Sequence, residues 1–271
     1  MQTPSSTRSR SVKAIVAYHG AGFSGWQIQR QGERTVQAVF EEALFKVTGH
    51  RPQLIAASRT DTGVHAQGQV IQFDFPAGQP ARRHKGARNI HAPAAPLTAE
   101  RLQVALNYHL PEDVVVRSLA FARPGFNARF GAKAKHYRYL IHASRSKPVF
   151  DKDTCIWVHP SLDVDRMREA AGFFVGRHDF TSFSSASDDA RDRRRVIRKL
   201  AIRRSGDRVT CDIIGEGFLQ HQVRIMIGTL IEIGKGMRPV SDIPRLLRLK
   251  NRLKAGRTAA PHGLTLLKVY Y

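Results

Sequence analysis

The sequence has few cysteines and no long apolar run. Its 271 residues include only two cysteines, Cys155 and Cys211, which are too few for a disulfide framework or a cysteine-based zinc site. A reducing cytoplasm is therefore the expected compartment. No stretch approaches the roughly 18 consecutive apolar residues of a membrane-spanning helix, and no HExxH or paired Cys/His spacing indicates a metal centre. We expect neither a membrane anchor nor a bound metal.

Acidic residues are also scarce. The chain has 44 Lys and Arg residues against 22 Asp and Glu residues, a formal net charge of +22. Lysine and arginine side chains that neutralise phosphates release condensed counterions, so this excess favours nucleic acid as the partner. Apolar residues (42%) and charged residues (24%) are close to globular averages and predict a folded chain. Residues 1–10 are rich in Ser and Arg and predict a flexible basic leader, with a short organelle-targeting tail as the alternative.

Hydrophobic periodicity predicts an α+β half over residues 11–122. Its helices are expected to begin after the N-capping residues Thr35 and Thr98, and the first of them to end before Gly49. The expected strands are Val12–Tyr18, Val70–Phe75 and Val114–Phe121. The Pro/Ala/Arg-rich stretch 76–96 predicts a loop.

A second α+β half is predicted over residues 129–271, after a joint at 122–128. A helix capped by Asp163 is expected to reach Gly176, and two strands are expected to flank a turn at Ser205–Asp207. The remaining expected elements are a strand at Tyr137–His142, helices at Leu219–Ile233 and Ile243–Leu249, and a last strand at Leu264–Tyr270.

The densest group of polar residues is Ser58–Ala66, between a predicted helix and a predicted strand. A loop in that position can present side chains to a cleft. The alternative is a capped turn, in which Asp and Thr bond the local backbone and Gly supplies a positive φ.

Arg224 lies in the apolar segment 218–231, where it is the only formally charged residue apart from a protonated His221. A buried guanidinium needs a partner, because burying it unpaired would cost several kcal/mol. Asp61 is a candidate partner. The alternatives are that Arg224 extends to solvent or binds phosphate directly.

Aromatic and basic residues alternate in Phe126–Ala132 and again in Lys135–Tyr139. This pattern is typical of surfaces where a nucleobase stacks and phosphates are held. The alternation also fits an ordinary strand, with Tyr137, Tyr139 and Ile141 on its buried face.

Taken together, these motifs resemble the TruA family of tRNA pseudouridine synthases. The resemblance runs in order along nearly the whole chain and omits only the leader and the 76–96 region. The matching segments are Ala17–Gly20 through Gly25–Gln27, Thr35–Gln37, Arg59–Ala66, Phe126–Tyr139, His178–Phe180, Gly217–Leu219 through Val223–Arg224 and Gly228, and Gly263–Leu264.

The resemblance implies two ferredoxin-like α+β halves that share a mainly antiparallel sheet, with a basic catalytic cleft between them. It also implies a cytoplasmic homodimer that binds tRNA and isomerises uridine to pseudouridine without a cofactor, in the anticodon stem-loop at tRNA positions 38–40. The alternatives are a non-catalytic protein that binds structured RNA, and a pseudouridine synthase that acts on a different RNA.

The resemblance also assigns roles to individual residues. Asp61 matches the catalytic aspartate, which acts on a flipped nucleotide by attack on C1′, attack on C6, or elimination to a glycal. Tyr137 matches the tyrosine that packs on the flipped base and is a candidate proton carrier, and Arg224 matches the arginine that orients the aspartate. The other expected substrate-binding residues are Arg59, which would fill the space that the base vacates, His65, Arg129 and Leu264.

Two features depart from the family pattern. The 76–96 loop, with its bases Arg82 to Arg88, is longer than the usual connection. Between Arg191 and Arg204, eight basic residues accompany one acid, Asp192. This basic run is either a solvated hairpin or an edge that grips RNA phosphates. In the second case, Arg193, Arg194 and Arg195 would contact phosphates outside the catalytic pocket.

Overall fold

The computed structural model describes residues 9–29, 32–76, 98–159 and 162–271, which contain five α-helices and ten β-strands. They divide into two compact units. The first consists of the described residues up to Thr60 together with those of Ala66–Ala132; the second consists of Asp61–His65 and Lys133–Tyr271. The loop at 61–65 therefore groups with the second unit, although it lies within the residues predicted for the first half. Residues 1–8 of the leader and 77–96 of the predicted loop lie outside the described residues.

The first unit contains the strands β1 (Ser9–Tyr18), β2 (Ile55–Ala56), β3 (His65–Pro76, except His65 itself) and β4 (Val114–Phe121). Strand β1 pairs antiparallel with both β3 and β4, and β2 pairs antiparallel with β3. The bounds predicted for β4 are confirmed, whereas β3 begins five residues earlier than predicted.

Two helices belong to the first unit, α1 (Val36–Thr48) and α2 (Ala99–His109). The side chains of Thr35 and Thr98 accept hydrogen bonds from the backbone N–H groups of Ala38 and Arg101. Helix α1 ends at Gly49, whose φ of 80° is left-handed. Both predicted caps and the predicted end of α1 are confirmed.

The second unit contains six strands: β5 (Ala134–Ala143), β6 (Ile156–Val158), β7 (Gly176–Asp179), β8 (Arg194–Ser205), β9 (Arg208–Gly215) and β10 (Leu264–Tyr270). Their order is β10-β5-β9-β8-β7, with antiparallel neighbours, and β6 pairs parallel with β5. The predicted turn between β8 and β9 and the predicted bounds of β10 are confirmed. The short strands β2, β6 and β7 were not predicted.

The helices of the second unit are α3 (Val164–Gly172), α4 (Gln222–Gly234) and α5 (Asp242–Leu249). Asp163 caps α3 as predicted, but α3 ends at Gly172 instead of Gly176, which starts β7 with a φ of 111°. Helix α4 begins at Gln222 instead of Leu219, because His221 before it is left-handed with a φ of 61°. No helix in the described parts of the chain is long and apolar enough to cross a membrane.

Residues of strand β5 alternate between the two faces of the sheet in the second unit. Its residues Tyr137, Tyr139 and Ile141 are buried, and the first two lie opposite Ile213 and Cys211 of β9 in the ladder. His136 and Arg138 alternate with them and contact Asp212. Helix α4 is buried along almost its whole length.

Candidate active site

The loop that carries Asp61 is a tight turn. The backbone N–H of Val64 donates to the carbonyl oxygen of Asp61 at 3.1 Å, and Gly63 has a φ of 76°. A Cβ atom on Gly63 would also lie 3.0 Å from Cγ of Pro261. Glycine is therefore favoured here by both backbone conformation and close packing. The turn predicted as the alternative exists, but the Asp61 side chain is not used to cap it.

The Asp61 carboxylate pairs with Arg224. Nη1 of Arg224 donates to Oδ2 of Asp61 at 2.9 Å, and Nε of Arg224 donates to the carbonyl oxygen of Ala259 at 2.8 Å. The Arg224 and Asp61 side chains are 13% and 24% exposed, respectively. The partner predicted from the charge argument is confirmed. The geometry leaves the carboxylate partly open to solvent while its charge is balanced from within the protein.

Arg224 also anchors the segment 256–260 along α4. Its carbonyl oxygen accepts the N–H of Ala259 at 3.0 Å, and the hydroxyl of Thr229 accepts the N–H of Gly256 at 3.0 Å. The segment lies so close to α4 that a Cβ atom on Gly228 would stand 1.7 Å from the carbonyl oxygen of Arg257. Glycine at 228 is therefore required by this close approach.

Two further side chains fix the end of this segment. The Tyr139 hydroxyl donates to the carbonyl oxygen of Ala260 at 2.7 Å, and Nε2 of His65 lies 3.1 Å from the carbonyl oxygen of His262. Burial raises the pKa of Tyr139, so its hydroxyl stays protonated as a donor. A Cβ atom on Gly263 would lie 2.7 Å from Cζ of Tyr139. Arg224, the partner of Asp61, is thus hydrogen-bonded to a backbone segment that α4 and Tyr139 also fix by hydrogen bonds.

His221 was not among the predicted site residues. Its Nε2 atom lies 3.7 Å from Oδ2 of Asp61, and it occupies the residue before the first turn of α4. The signal for it was its position three residues before Arg224, because residues three apart at a helix start face the same side.

Tyr137 and Leu264 are nearly buried, with 6% and 5% exposure. The Tyr137 ring packs edge-on against Phe218, with ring centroids 5.3 Å apart. The burial of Tyr137 agrees with the strand-face alternative, and its contact with a nucleobase stays a prediction.

Arg59 and Arg129 lie in the first unit, and both are exposed. The Arg129 guanidinium lies 5.4 Å from the ring centroid of Phe130, which is itself 82% exposed. Oδ1 of Asn127 accepts the N–H groups of both residues and fixes their turn. The structure brings together Asp61, Arg224 and His221 within the second unit, where His65 instead contacts His262. In the described parts of the chain, no group of three His, Cys, Asp or Glu residues is placed to hold a metal ion.

The basic run at 191–204 is not uniform. Arg193 is half-buried and donates to the carbonyl oxygen of Asp188 and to the Ser184 hydroxyl. Arg194 pairs with Asp192, and Arg198 pairs with Glu216. The Arg193 guanidinium therefore supports the fold of the 184–190 loop, and the binding of phosphates by this run stays a prediction.

The chain is similar to known proteins of one family. A family model described as tRNA pseudouridine synthase matches residues 14–130 and 170–271. The protein named tRNA pseudouridine synthase A from Geobacillus kaustophilus is 42% identical over 264 residues, covering 97% of this chain and 95% of the relative. Its namesakes from Geobacillus sp. strain WCH70 and Acetivibrio thermocellus are 40% and 38% identical, each over 97% of this chain and over 99% and 100% of the relative.

A solved structure titled as a Cbf5-Nop10-Gar1 complex covers 81% of this chain and 45% of its own, at 12% identity and a TM-score of 0.32, too low to carry an argument. The family match and the sequence identity to relatives along nearly their whole length are much stronger evidence than this structural similarity. They show that this chain belongs to the tRNA pseudouridine synthase family.

Proposed function

We propose that Asp61 is the catalytic carboxylate with which this isomerase converts uridine to pseudouridine in tRNA. Membership of the family supports the reaction and its RNA substrate. The observation that carries the assignment of Asp61 is its ion pair with Arg224, on a turn that leaves the carboxylate 24% exposed. A carboxylate that is both held in place and accessible is what a reaction at a substrate atom requires.

The reaction breaks the N1–C1′ bond of uridine and forms a C5–C1′ bond, with loss of the proton on C5. A base stacked inside a helix cannot rotate to bring C5 to C1′, so the nucleotide has to be flipped out. The carboxylate then acts at C1′, at C6, or as a base in elimination to a glycal. All three routes need one oriented carboxylate beside the sugar and base, and Arg224 orients it and balances its charge.

We assign Tyr137 and Leu264 to the apolar wall against which the flipped base packs, and Tyr137 is also the candidate proton carrier. Their near-complete burial on one sheet face supports a rigid wall. The exposed cations Arg59 and Arg129 are assigned to RNA contacts, and the exposed Phe130 beside Arg129 supports stacking of a base there. His65 binds the carbonyl oxygen of His262, so we assign it to support of the substrate site.

The net charge of +22 supports a polyanionic substrate. The anticodon stem-loop target at tRNA positions 38–40, the homodimer, the cytoplasmic location and the basic cleft of a shared sheet stay predictions from the family resemblance.

The test is tritium release from tRNA labelled at uridine C5, with Asp61→Asn and Asp212→Asn compared. We expect Asp61→Asn to lower turnover at least about a thousandfold, because the reacting group is removed. Affinity for tRNA should stay nearly unchanged, because phosphate contacts supply most of it. Asp212→Asn removes a carboxylate of the same unit and should leave turnover within about threefold of wild type.

Turnover near wild type in a folded Asp61→Asn variant would remove Asp61 from the mechanism. Thermal melting reports whether each variant is folded. Labelled ribosomal RNA fragments, and tRNAs with cytidine at positions 38–40, distinguish the anticodon target from another RNA.

A further inference from the structure

The two oxygens of the Asp61 carboxylate have different surroundings. Oδ2 lies 2.9 Å from Nη1 of Arg224 and 3.7 Å from Nε2 of His221. In the described parts of the chain, Oδ1 accepts no hydrogen bond, whereas Oδ2 accepts the one from Arg224. Arg224 and His221 therefore both lie on the Oδ2 side of the carboxylate, and Oδ1 faces away from these two residues' shortest contacts.

His221 is held in place by its own turn. Its backbone is left-handed, with φ 61° and ψ 2°, a conformation that residues other than glycine rarely adopt. Such outliers persist only where the surroundings hold them, and they are frequent at functional sites. His221 immediately precedes α4, and its imidazole lies next to the loop that carries Asp61.

The surroundings that hold His221 are formed by its two glutamine neighbours. The fully buried Gln222 accepts the N–H of Leu219 with its side-chain oxygen at 2.9 Å, while its own N–H donates to the carbonyl oxygen of Leu219 at 3.1 Å. On the other side, the N–H of Gln220 donates to Oδ2 of Asp188 at 2.6 Å. The turn is thus fixed at both ends, independently of Asp61.

We infer that His221 is a positioning residue for Asp61: with Arg224 it engages Oδ2, so that Oδ1 is the oxygen that meets the flipped nucleotide. The distance of 3.7 Å is longer than a hydrogen bond. Contacts between catalytic groups are often long in the absence of substrate and shorten in its complex. The inference rests on the proposed function of Asp61 and adds the choice of oxygen and the residue that enforces it.

The test replaces the side chain without straining the backbone. His221→Gly keeps the left-handed turn and removes the imidazole, whereas His221→Asn keeps a residue that tolerates this conformation and retains a short N–H donor. Single-turnover rates are measured with saturating tRNA labelled at uridine C5, alongside the dissociation constant for tRNA and the melting temperature.

We expect His221→Gly to lower the single-turnover rate by up to about a hundredfold, the effect of a misplaced reacting group. The dissociation constant for tRNA should stay within about twofold of wild type, because the imidazole makes no phosphate contact in this assignment. His221→Asn should be impaired less than His221→Gly. Added imidazole should restore part of the rate of His221→Gly, and it should not restore Asp61→Asn.

A rate for His221→Gly within twofold of wild type would overturn the inference. So would a decrease that imidazole does not restore and that follows a fall in melting temperature. Inactivity of Asp61→Asn together with normal activity of His221→Gly would refute the positioning role and leave the proposed function intact. Activity of Asp61→Asn would instead refute the proposed function.

Discussion

Two aspartates of the second unit have the same kinds of partner and differ in which oxygens those partners engage. Oδ2 of Asp61 accepts a hydrogen bond from Arg224 and lies 3.7 Å from Nε2 of His221. Asp212 has Arg138, which donates to both of its oxygens at 2.9 and 3.1 Å, and His136, whose Nε2 lies 2.8 Å from Oδ1. The Asp212 side chain is 12% exposed, half as much as that of Asp61.

The difference lies in geometry, because the residue types are the same. A carboxylate whose two oxygens are both engaged is suited to joining strands, and Asp212 joins β9 to β5 in this way. A carboxylate with one engaged oxygen is oriented and still able to react. Residue types alone therefore do not distinguish the two aspartates, and the geometry of their contacts has to be compared.

Removing the arginine of each pair gives the largest expected contrast. Arg224→Ala should lower turnover by about a hundredfold or more, because Asp61 loses its orientation and Ala259 loses its donor. Arg224→Lys should restore the charge and recover only part of the rate, since lysine lacks the fork that reaches both partners. Arg138→Ala should leave turnover within about threefold. The measurement is tritium release at saturating tRNA.

Both alanine variants should melt at a lower temperature than wild type, so melting alone does not separate them. Equal decreases of turnover in Arg224→Ala and Arg138→Ala would contradict the contrast, because they would indicate a general effect of destabilisation.

A smaller effect is expected in the pH dependence of stability. Burial opposes ionisation of Asp212, but the hydrogen bonds from Arg138 and His136 outweigh it and lower the pKa of Asp212 from the ordinary value of 3.8. The stability that this carboxylate contributes is present above pH 3.8 and is lost as the pH falls through its lower folded-state pKa. Relative to Asp212→Asn, wild type should gain about 1 kcal/mol of unfolding free energy near neutral pH, since solvent partly screens the pair.

Urea unfolding of wild type and Asp212→Asn at several pH values measures this gain. The difference between the two proteins should shrink as the pH falls below 3.8. A difference that does not change with pH would show that the ion pair does not contribute through its charge.

The smallest effect concerns cations without a carboxylate partner. Lys199 and Arg203 are exposed on β8, and neither has an acidic partner among the residues that the structure describes, whereas Arg194 and Arg198 are paired. If the unpaired cations bind phosphates, the double variant Lys199→Gln with Arg203→Gln should flatten the plot of log affinity for tRNA against log salt. The slope should change by about 0.7 to 0.9 for each phosphate that the variant no longer binds.

The matched control is Arg194→Gln with Arg198→Gln, which removes the same net charge from the same strand. It should change the salt slope less, because these guanidinium groups are already neutralised. Equal slopes for the two double variants would mean that only the total charge matters and that the run is a solvated face.

Helix caps and strand alternation in the sequence correctly predicted those elements whose bounds depend on neighbouring residues. Thr35 and Thr98 start helices through side-chain hydrogen bonds, and the alternation in β10 sets its bounds. The start of α4 was misplaced because hydropathy does not register the left-handed backbone of His221. The short strand β7 was not predicted because its four residues are too few for a periodicity to show.

The site was predictable to the extent that charge balance constrains it. A lone guanidinium in the apolar segment that became α4 required a carboxylate, and this argument correctly paired Arg224 with Asp61. No pattern in the sequence showed that the segment 256–260 would lie against α4 and accept the Arg224 Nε hydrogen bond. That packing is visible only in retrospect, through the space that Gly228 leaves for the carbonyl oxygen of Arg257.

The partners of Asp61 come from distant parts of the chain. Arg224 follows Asp61 by 163 residues. In the same loop, His65 binds the carbonyl oxygen of His262, which lies 197 residues after His65. Contacts of such long range form late in folding, and a chain leaving the ribosome presents its N-terminal part first. A nascent chain therefore carries Asp61, the proposed catalytic residue, well before Arg224, its ion-pair partner. We expect synthesis of this protein to yield an enzyme that is inactive until its C-terminal segment has been made and packed onto α4.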